Sequence, residues 1–143
     1  MSSILIVDDE KAIRKTLTEI LSYEGYKIED AENGEEALKK LKEKHFDVVL
    51  CDIKMPKVDG LEFLEKSKEI NPDVPIIMIS GHGTIETAVE AVKKGAFDYV
   101  AKPPDLNRLL ITIRNAMDRQ SLVTETKVLK RKVSRVQEMI GDS

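Results

Sequence analysis

Tryptophan is missing from this chain, cysteine occurs once, and aromatic residues make up only 4% of its 143 positions. A single thiol excludes an internal disulfide framework, so an apolar core must hold the fold. Cys51 lies inside the apolar run Val48-Val49-Leu50-Cys51 and reads as a small buried hydrophobe without a redox role. His45 and His82 have no ligand spacing with Cys51, which argues against zinc and leaves both as surface histidines. No apolar run approaches the roughly 18 residues that a membrane helix needs. Met1-Ser2-Ser3 leads straight into a strand-like run without a basic, apolar targeting segment. The expectation is a cytoplasmic protein with no membrane partner. Positive charge is also in deficit: 23 Lys and Arg face 26 Asp and Glu, for a net charge of −3. Residues 121–143 carry five basic and three acidic residues (+2), which leaves −5 for the first 120. An acidic body argues against nucleic acid as the main partner.

What is present is a regular alternation. The length suits one domain with an appendage. Ile4-Leu5-Ile6-Val7 is followed by helical spacing at Ile13, Leu17, Ile20 and Leu21, closed by Gly25 as a C-cap. A strand over Tyr26 to Ala31 leads to Asn33-Gly34, a turn and N-cap, and to a helix with Ala37, Leu38 and Leu41 inward. Val48 to Asp52 is the third strand. Leu61, Leu64 and Lys68 mark the next helical stripe with Phe63 beside it, broken by Asn71-Pro72. Val74 to Ser80 is the fourth strand, and Ile85, Ala88, Val89 and Val92 form an apolar face ended by Gly95. Tyr99-Val100-Ala101 is the fifth strand, and Leu106, Leu109, Leu110, Ile113 and Met117 supply a covering helix. Strand-then-helix alternation with continuous apolar strands predicts a doubly wound α/β domain, a parallel sheet of five strands with helices on both faces.

From Asp105 onward no Gly or Pro appears until Gly141. Leu122, Thr126, Leu129, Val133, Val136 and Ile140 fall at steps of four and three, an a/d seam with one polar position. A helix from Asp105 to Ile140 would project about 54 Å, so pairing with a second copy is the preferred reading. The expected organisation is a domain over residues 1–120 and an extended helical linker, a coiled coil, over 121–143.

The strands end on polar residues of a particular kind. The first runs into Asp8-Asp9, the third into Asp52, the fourth into Ser80 and the fifth into Lys102. Neighbouring parallel strands would bring these ends into one crevice at the carboxyl edge, where ligands bind in open α/β sheets. Solvation of strand ends explains any one of them, but not acid, acid, hydroxyl and amine together. Asp8, Asp9 and Asp52 would repel one another without a cation, and hard oxygen ligands favour Mg²⁺. A carboxylate beside Mg²⁺ and an ammonium is equipped to attack phosphorus, which makes Asp52 the nucleophile. Lys102-Pro103 also allows a cis peptide.

With these residues in place the chain, over Ser3 to about Arg119, resembles a response-regulator receiver domain. Asp8-Asp9, Asp52, Met55-Pro56, Asp59-Gly60, Ser80-Gly81, Tyr99 and Lys102-Pro103 all stand where that family has its own. The resemblance implies the flavodoxin-like strand order 2-1-3-4-5. It implies Asp52 as phosphoacceptor, Asp9 as a direct Mg²⁺ ligand, Asp8 as a ligand through water, and the backbone carbonyl of Lys54 as the third protein ligand. Ser80 becomes the switch hydroxyl, Lys102 the phosphoryl clamp, and Tyr99 the aromatic that turns inward on activation. A sensor histidine kinase is the implied phosphoryl donor. The segments Ser80 to Thr84 and Gly95 to Tyr99 are similar to receivers of nitrogen-regulation-type sigma-54-dependent activators. Met139 to Ser143 resembles the start of their ATPase domain, so a homodimer through the linker and DNA contact only through a further output domain are expected. Pro104, after Pro103, departs from the bulky apolar residue usual in the family.

The rival readings differ in chemistry. A Mg²⁺-dependent aspartyl-phosphate phosphohydrolase needs a second Asp two residues after its nucleophile as general acid, and here that position is Lys54. A DNA binder could use Lys127, Lys130, Arg131, Lys132 and Arg135, but beside a heptad seam these read as a solvated flank. A flavin protein would need amides and hydroxyls where this chain has acids.

Overall fold

In a computed structural model of the chain, residues 2–53, 59–81, 85–102 and 105–118 are described. The order of elements is β1 (Ser3–Val7), α1 (Lys11–Tyr23), β2 (Lys27–Ala31), α2 (Gly34–Glu43), β3 (Val48–Asp52), α3 (Gly60–Ile70), β4 (Ile76–Ser80), α4 (Ile85–Lys93) and β5 (Asp98–Ala101). A fifth helix, α5, spans 106–118. All strand pairs are parallel, in the order β2-β1-β3-β4-β5, so the expected topology is the observed one.

Alternation along the strands divides the core. Leu5, Val7, Val49, Cys51, Ile76 and Met78 face α2, α3 and α4, while Ile4, Ile6, Val48, Leu50, Ile77 and Ile79 face α1 and α5. Both faces are covered, which is why β3 and β4 are buried at every position and read as unbroken apolar runs. Among the described residues no helix is long and apolar enough to cross a membrane.

Caps act where the sequence placed them. Gly25 and Gly95 have positive φ (96° and 108°). Each sits two residues beyond a helix end, with Tyr26 N–H reaching back to Leu21 O and Ala96 N–H to Ala91 O. Asn33 and Asp59 accept from the N–H groups of Glu36 and Glu62 at 2.8 and 2.9 Å. Asp105 Oδ1 accepts from Asn107 at 3.0 Å, so α5 starts cleanly two residues after Pro103-Pro104.

Two helical faces differ from expectation. α3 buries Phe63, Leu64 and Ser67, with Leu61 only partly covered, so the inward stripe is rotated from Leu61–Leu64–Lys68. The Lys68 stem instead runs beneath Gly95, where a Cβ would stand 2.9 Å from its Cε. α4 docks through Ala91, and Val89 and Val92 are 46% and 53% exposed. A short helix seated on a small residue turns its bulkier neighbours outward. Residues 119–143, which include the expected linker over 121–143 and its heptad seam, lie outside the described residues, as do Met55-Pro56, His82 to Thr84 and Pro103-Pro104.

Candidate functional site

The parallel register sets the floor of the site. Val7 pairs with Cys51, Asp52 with Ile79 and Ser80 with Ala101, so the residues just beyond these positions emerge at one edge. Asp8, Asp52 and Ser80 are all buried, at 3%, 6% and 2% exposure. Burying carboxylates side by side is costly unless a cation is shared between them. Lys102 provides one: its Nζ lies 2.8 Å from Asp8 Oδ2 and 3.3 Å from Asp52 Oδ2. Three strand ends therefore meet at a single ammonium.

Asp8 is held on every side. Its N–H donates to Ala31 O at 3.1 Å, its Oδ1 accepts from Glu10 N–H at 2.9 Å, and its carbonyl accepts from the Arg14 guanidinium at 2.7 Å. Asp9 is exposed beside it. Carboxylate oxygens of Asp8, Asp9 and Glu10 lie within 4.8 Å of one another, an arrangement of hard donors that a small divalent cation fits. Glu10 is the member that reading the sequence missed. Its signal was its place directly after the acidic pair, at the N-cap of α1.

The electrostatics follow from this crowding. Burial and then the neighbouring Asp8 charge push the Asp52 carboxyl above its ordinary range, and Lys102 only partly offsets them. Burial works to lower the Lys102 ammonium, but the hydrogen bond and charge of Asp8, with Asp52 behind them, hold it above its ordinary value. Cys51 is pushed far up, first by burial and then by Asp52, which keeps it an inert thiol.

Ser80 closes β4, and its carbonyl accepts from Lys102 N–H at 3.1 Å, so hydroxyl and ammonium belong to adjacent strand ends. Tyr99 is partly buried against the core beneath α2, α3 and α4, next to Met78 in register. Lys54, whose carbonyl was expected as a ligand, lies outside the described residues. On either side of it, Gly60 N–H donates to Ile53 O at 2.7 Å.

Comparison with known proteins agrees with this geometry. Residues 4–114 match the response regulator receiver domain family. The chain is 44% identical over 142 residues to a putative response regulator, NtrX-like, from Rickettsia bellii, a match that takes in 98% of this chain and 30% of that protein. NtrX from Brucella abortus, solved with ADP, superposes with a TM-score of 0.85 at 38% identity over 90% of this chain and 30% of that one. The solution structure of the beryllofluoride-activated NtrC4 receiver domain dimer matches with a TM-score of 0.80 at 43% identity, covering 84% of this chain and 99% of that one. The chain spans about 30% of the length of the curated relatives it matches. In sequence, strand order and the placing of its acidic edge, the chain belongs to the response regulator receiver domain family.

Proposed function

We propose that Asp52 accepts a phosphoryl group from a sensor histidine kinase, and that the chain is the phosphoacceptor switch of a longer two-component transcription regulator. The observation that carries this reading is the Lys102 ammonium between Asp8 and Asp52, at 2.8 and 3.3 Å. It keeps one buried carboxylate central while leaving acids in excess over basic groups at the same edge. That excess suits Mg²⁺, which Asp8, Asp9 and Asp52, with the Lys54 carbonyl, would hold, and Glu10 stands within 4.8 Å of the first two as a further oxygen donor. Bound there, the ion would neutralise charge on the transferring group.

Asp52 contributes the nucleophile. One of its oxygens forms the new bond to phosphorus as the P–N bond to the kinase imidazole breaks, and the electron pair of that bond returns to the ring nitrogen. The product is an acyl phosphate on Asp52. Lys102, freed from sharing with Asp52, turns its N–H groups to the phosphoryl oxygens, and the Ser80 hydroxyl donates to another. Tyr99 moves into the space that Ser80 leaves. Loading and loss of the phosphoryl group are self-catalysed, and output, including DNA contact, belongs to a further domain. The dimeric state described for the beryllofluoride-activated NtrC4 receiver domain supports pairing of two chains, and the contact proposed for the pairing is the heptad seam of 121–143.

The test uses acetyl phosphate with Mg²⁺ and intact-mass measurement. One added phosphate is expected, labile to base and to hydroxylamine, and none on Asp52→Asn. Equal labelling of that variant would overturn the assignment, and steady turnover of small phosphate esters would favour the phosphohydrolase.

A further inference from the structure

Four strand ends meet at the site, but β2 also carries acids next to its last residue, Glu29 and Asp30, and a cation connects Asp30 to the site. Arg14, on the first turn of α1, donates from Nε to Asp30 Oδ2 at 3.0 Å and from Nη1 to the carbonyl oxygen of Asp8 at 2.7 Å. Its side chain is only 13% exposed, while that of Asp30 is 50% exposed. Asp30 is itself anchored, because its backbone carbonyl accepts from Lys40 Nζ of α2.

We infer that Arg14 is a positioning residue for the divalent cation at the acidic edge, acting through the Asp8 main chain with Asp30 as its anchor. This rests on the Mg²⁺ reading above. The carbonyl that Arg14 grips belongs to the peptide joining Asp8 to Asp9, so fixing that oxygen fixes the direction in which the exposed Asp9 carboxylate leaves the chain. Asp8 N–H is already pinned to Ala31 and its carboxylate to Glu10 and Lys102. Arg14 supplies the remaining restraint. A guanidinium is suited to this because its planar fork serves two acceptors at a fixed angle, which an ammonium on a shorter reach does not reproduce. Outer groups that orient metal ligands commonly contribute about 10–100-fold to affinity.

Positioning by Arg14 and the simple electrostatics of its charge act on cation affinity with opposite signs. Removing a positive charge next to a cation site should tighten cation binding, most at low ionic strength. Loss of positioning should weaken it. Titration of the full chain with Mg²⁺ by calorimetry, at low and physiological salt, reads this directly without phosphorylation. Arg14→Gln is expected to bind Mg²⁺ roughly tenfold more weakly than the wild type. Arg14→Lys, which keeps the charge but not the fork, should fall between the two. Thermal melts of each variant establish that it is folded, and should Arg14→Gln fail to fold, the weakened binding of Arg14→Lys carries the test. If the wild type binds and the folded variants bind equally well or more tightly, the positioning role is overturned while the reading of the site stands. If the wild type itself fails to bind Mg²⁺, both fall.

Discussion

Gly60 packs directly on the main chain of Asp52: a Cβ placed on it would stand 2.2 Å from the Asp52 carbonyl oxygen and 2.6 Å from Ile53 Cα. Its φ is not positive, so the requirement is for space and not for an unusual conformation. Backbone atoms cannot swing aside as a lysine tip can. Gly60→Ala is therefore expected to lower the stability of the fold by about 1–3 kcal/mol, and to slow labelling of Asp52 because the strand end must shift. Urea denaturation followed by circular dichroism checks the first effect and acetyl phosphate labelling the second. Gly25→Ala is the contrast: nothing lies within 4 Å of its Cβ, but φ is +96°. It should cost about 1 kcal/mol through conformation alone and leave labelling unchanged. An unaltered urea midpoint for Gly60→Ala would show that the end of β3 yields freely.

Much of this was legible in the sequence because the signals were local. A strand buried on both faces must be apolar at every position, so β3 and β4 announced a parallel sheet. Asn33, Gly25 and Gly95 announced helix ends through backbone chemistry that hardly depends on tertiary context. Helix faces were harder. The choice between Ala91 and Val92 as the inward residue of α4 depends on how closely the helix approaches the sheet, which hydrophobicity along the chain does not encode. The site divided in the same way. Asp8, Asp52, Ser80 and Lys102 could be found because each ends a strand. Arg14 could not, because it acts from a helix, through a carbonyl, on a loop belonging to a different element.

Asp52 should make the cation-free protein less stable at neutral pH. Its carboxyl is raised by burial and by Asp8, so the folded state holds the proton more tightly than the unfolded chain does. The favourable contribution is complete below the ordinary carboxylate value, about 3.9, and is lost as pH rises through the elevated folded value. Above that range the fold carries an ionised group it disfavours. Asp52→Asn is thus expected to melt a few degrees above the wild type at pH 7 without Mg²⁺, with the difference closing on acidification toward pH 4. Added Mg²⁺ should stabilise the wild type more than the variant. Scanning calorimetry at several pH values checks this, and a variant that melts lower at pH 7 in the absence of Mg²⁺ would contradict it.

The acidic pair should divide its work unequally. Asp9 is exposed and lies within ligand reach of Asp8 and Glu10, whereas both Asp8 oxygens already accept from protein donors. Asp9→Ala is expected to weaken Mg²⁺ binding by more than about tenfold, since one charge-assisted ligand contributes over about 1.4 kcal/mol. Asp8→Ala should weaken it less. Instead it should destabilise the fold, because Lys102 loses its nearer partner. Calorimetric titration of both variants decides, and unchanged affinity in Asp9→Ala would remove it from the ligand set.

Phosphorylation should reach the linker through Lys102. A phosphoryl group on Asp52 brings a charge of about −1.5 to −2 beside an ammonium now shared with Asp8. Drawing Lys102 toward the new oxygens moves the end of β5, and Ser80 moves with it because its carbonyl accepts from Lys102 N–H. The loop after β5 leads into α5, whose sequence continues into the heptad seam of residues 121–143, so a shift at one end changes how two linkers pair. The full chain is expected to be dimeric at rest through that seam, and truncation after Arg119 to leave a monomer. Light scattering of both lengths, with and without beryllofluoride as a phosphoryl mimic, reads assembly, and small-angle scattering reads arrangement. A full chain monomeric at high micromolar concentration in both states would remove the coiled coil, and a dimer whose scattering profile ignores beryllofluoride would remove the coupling.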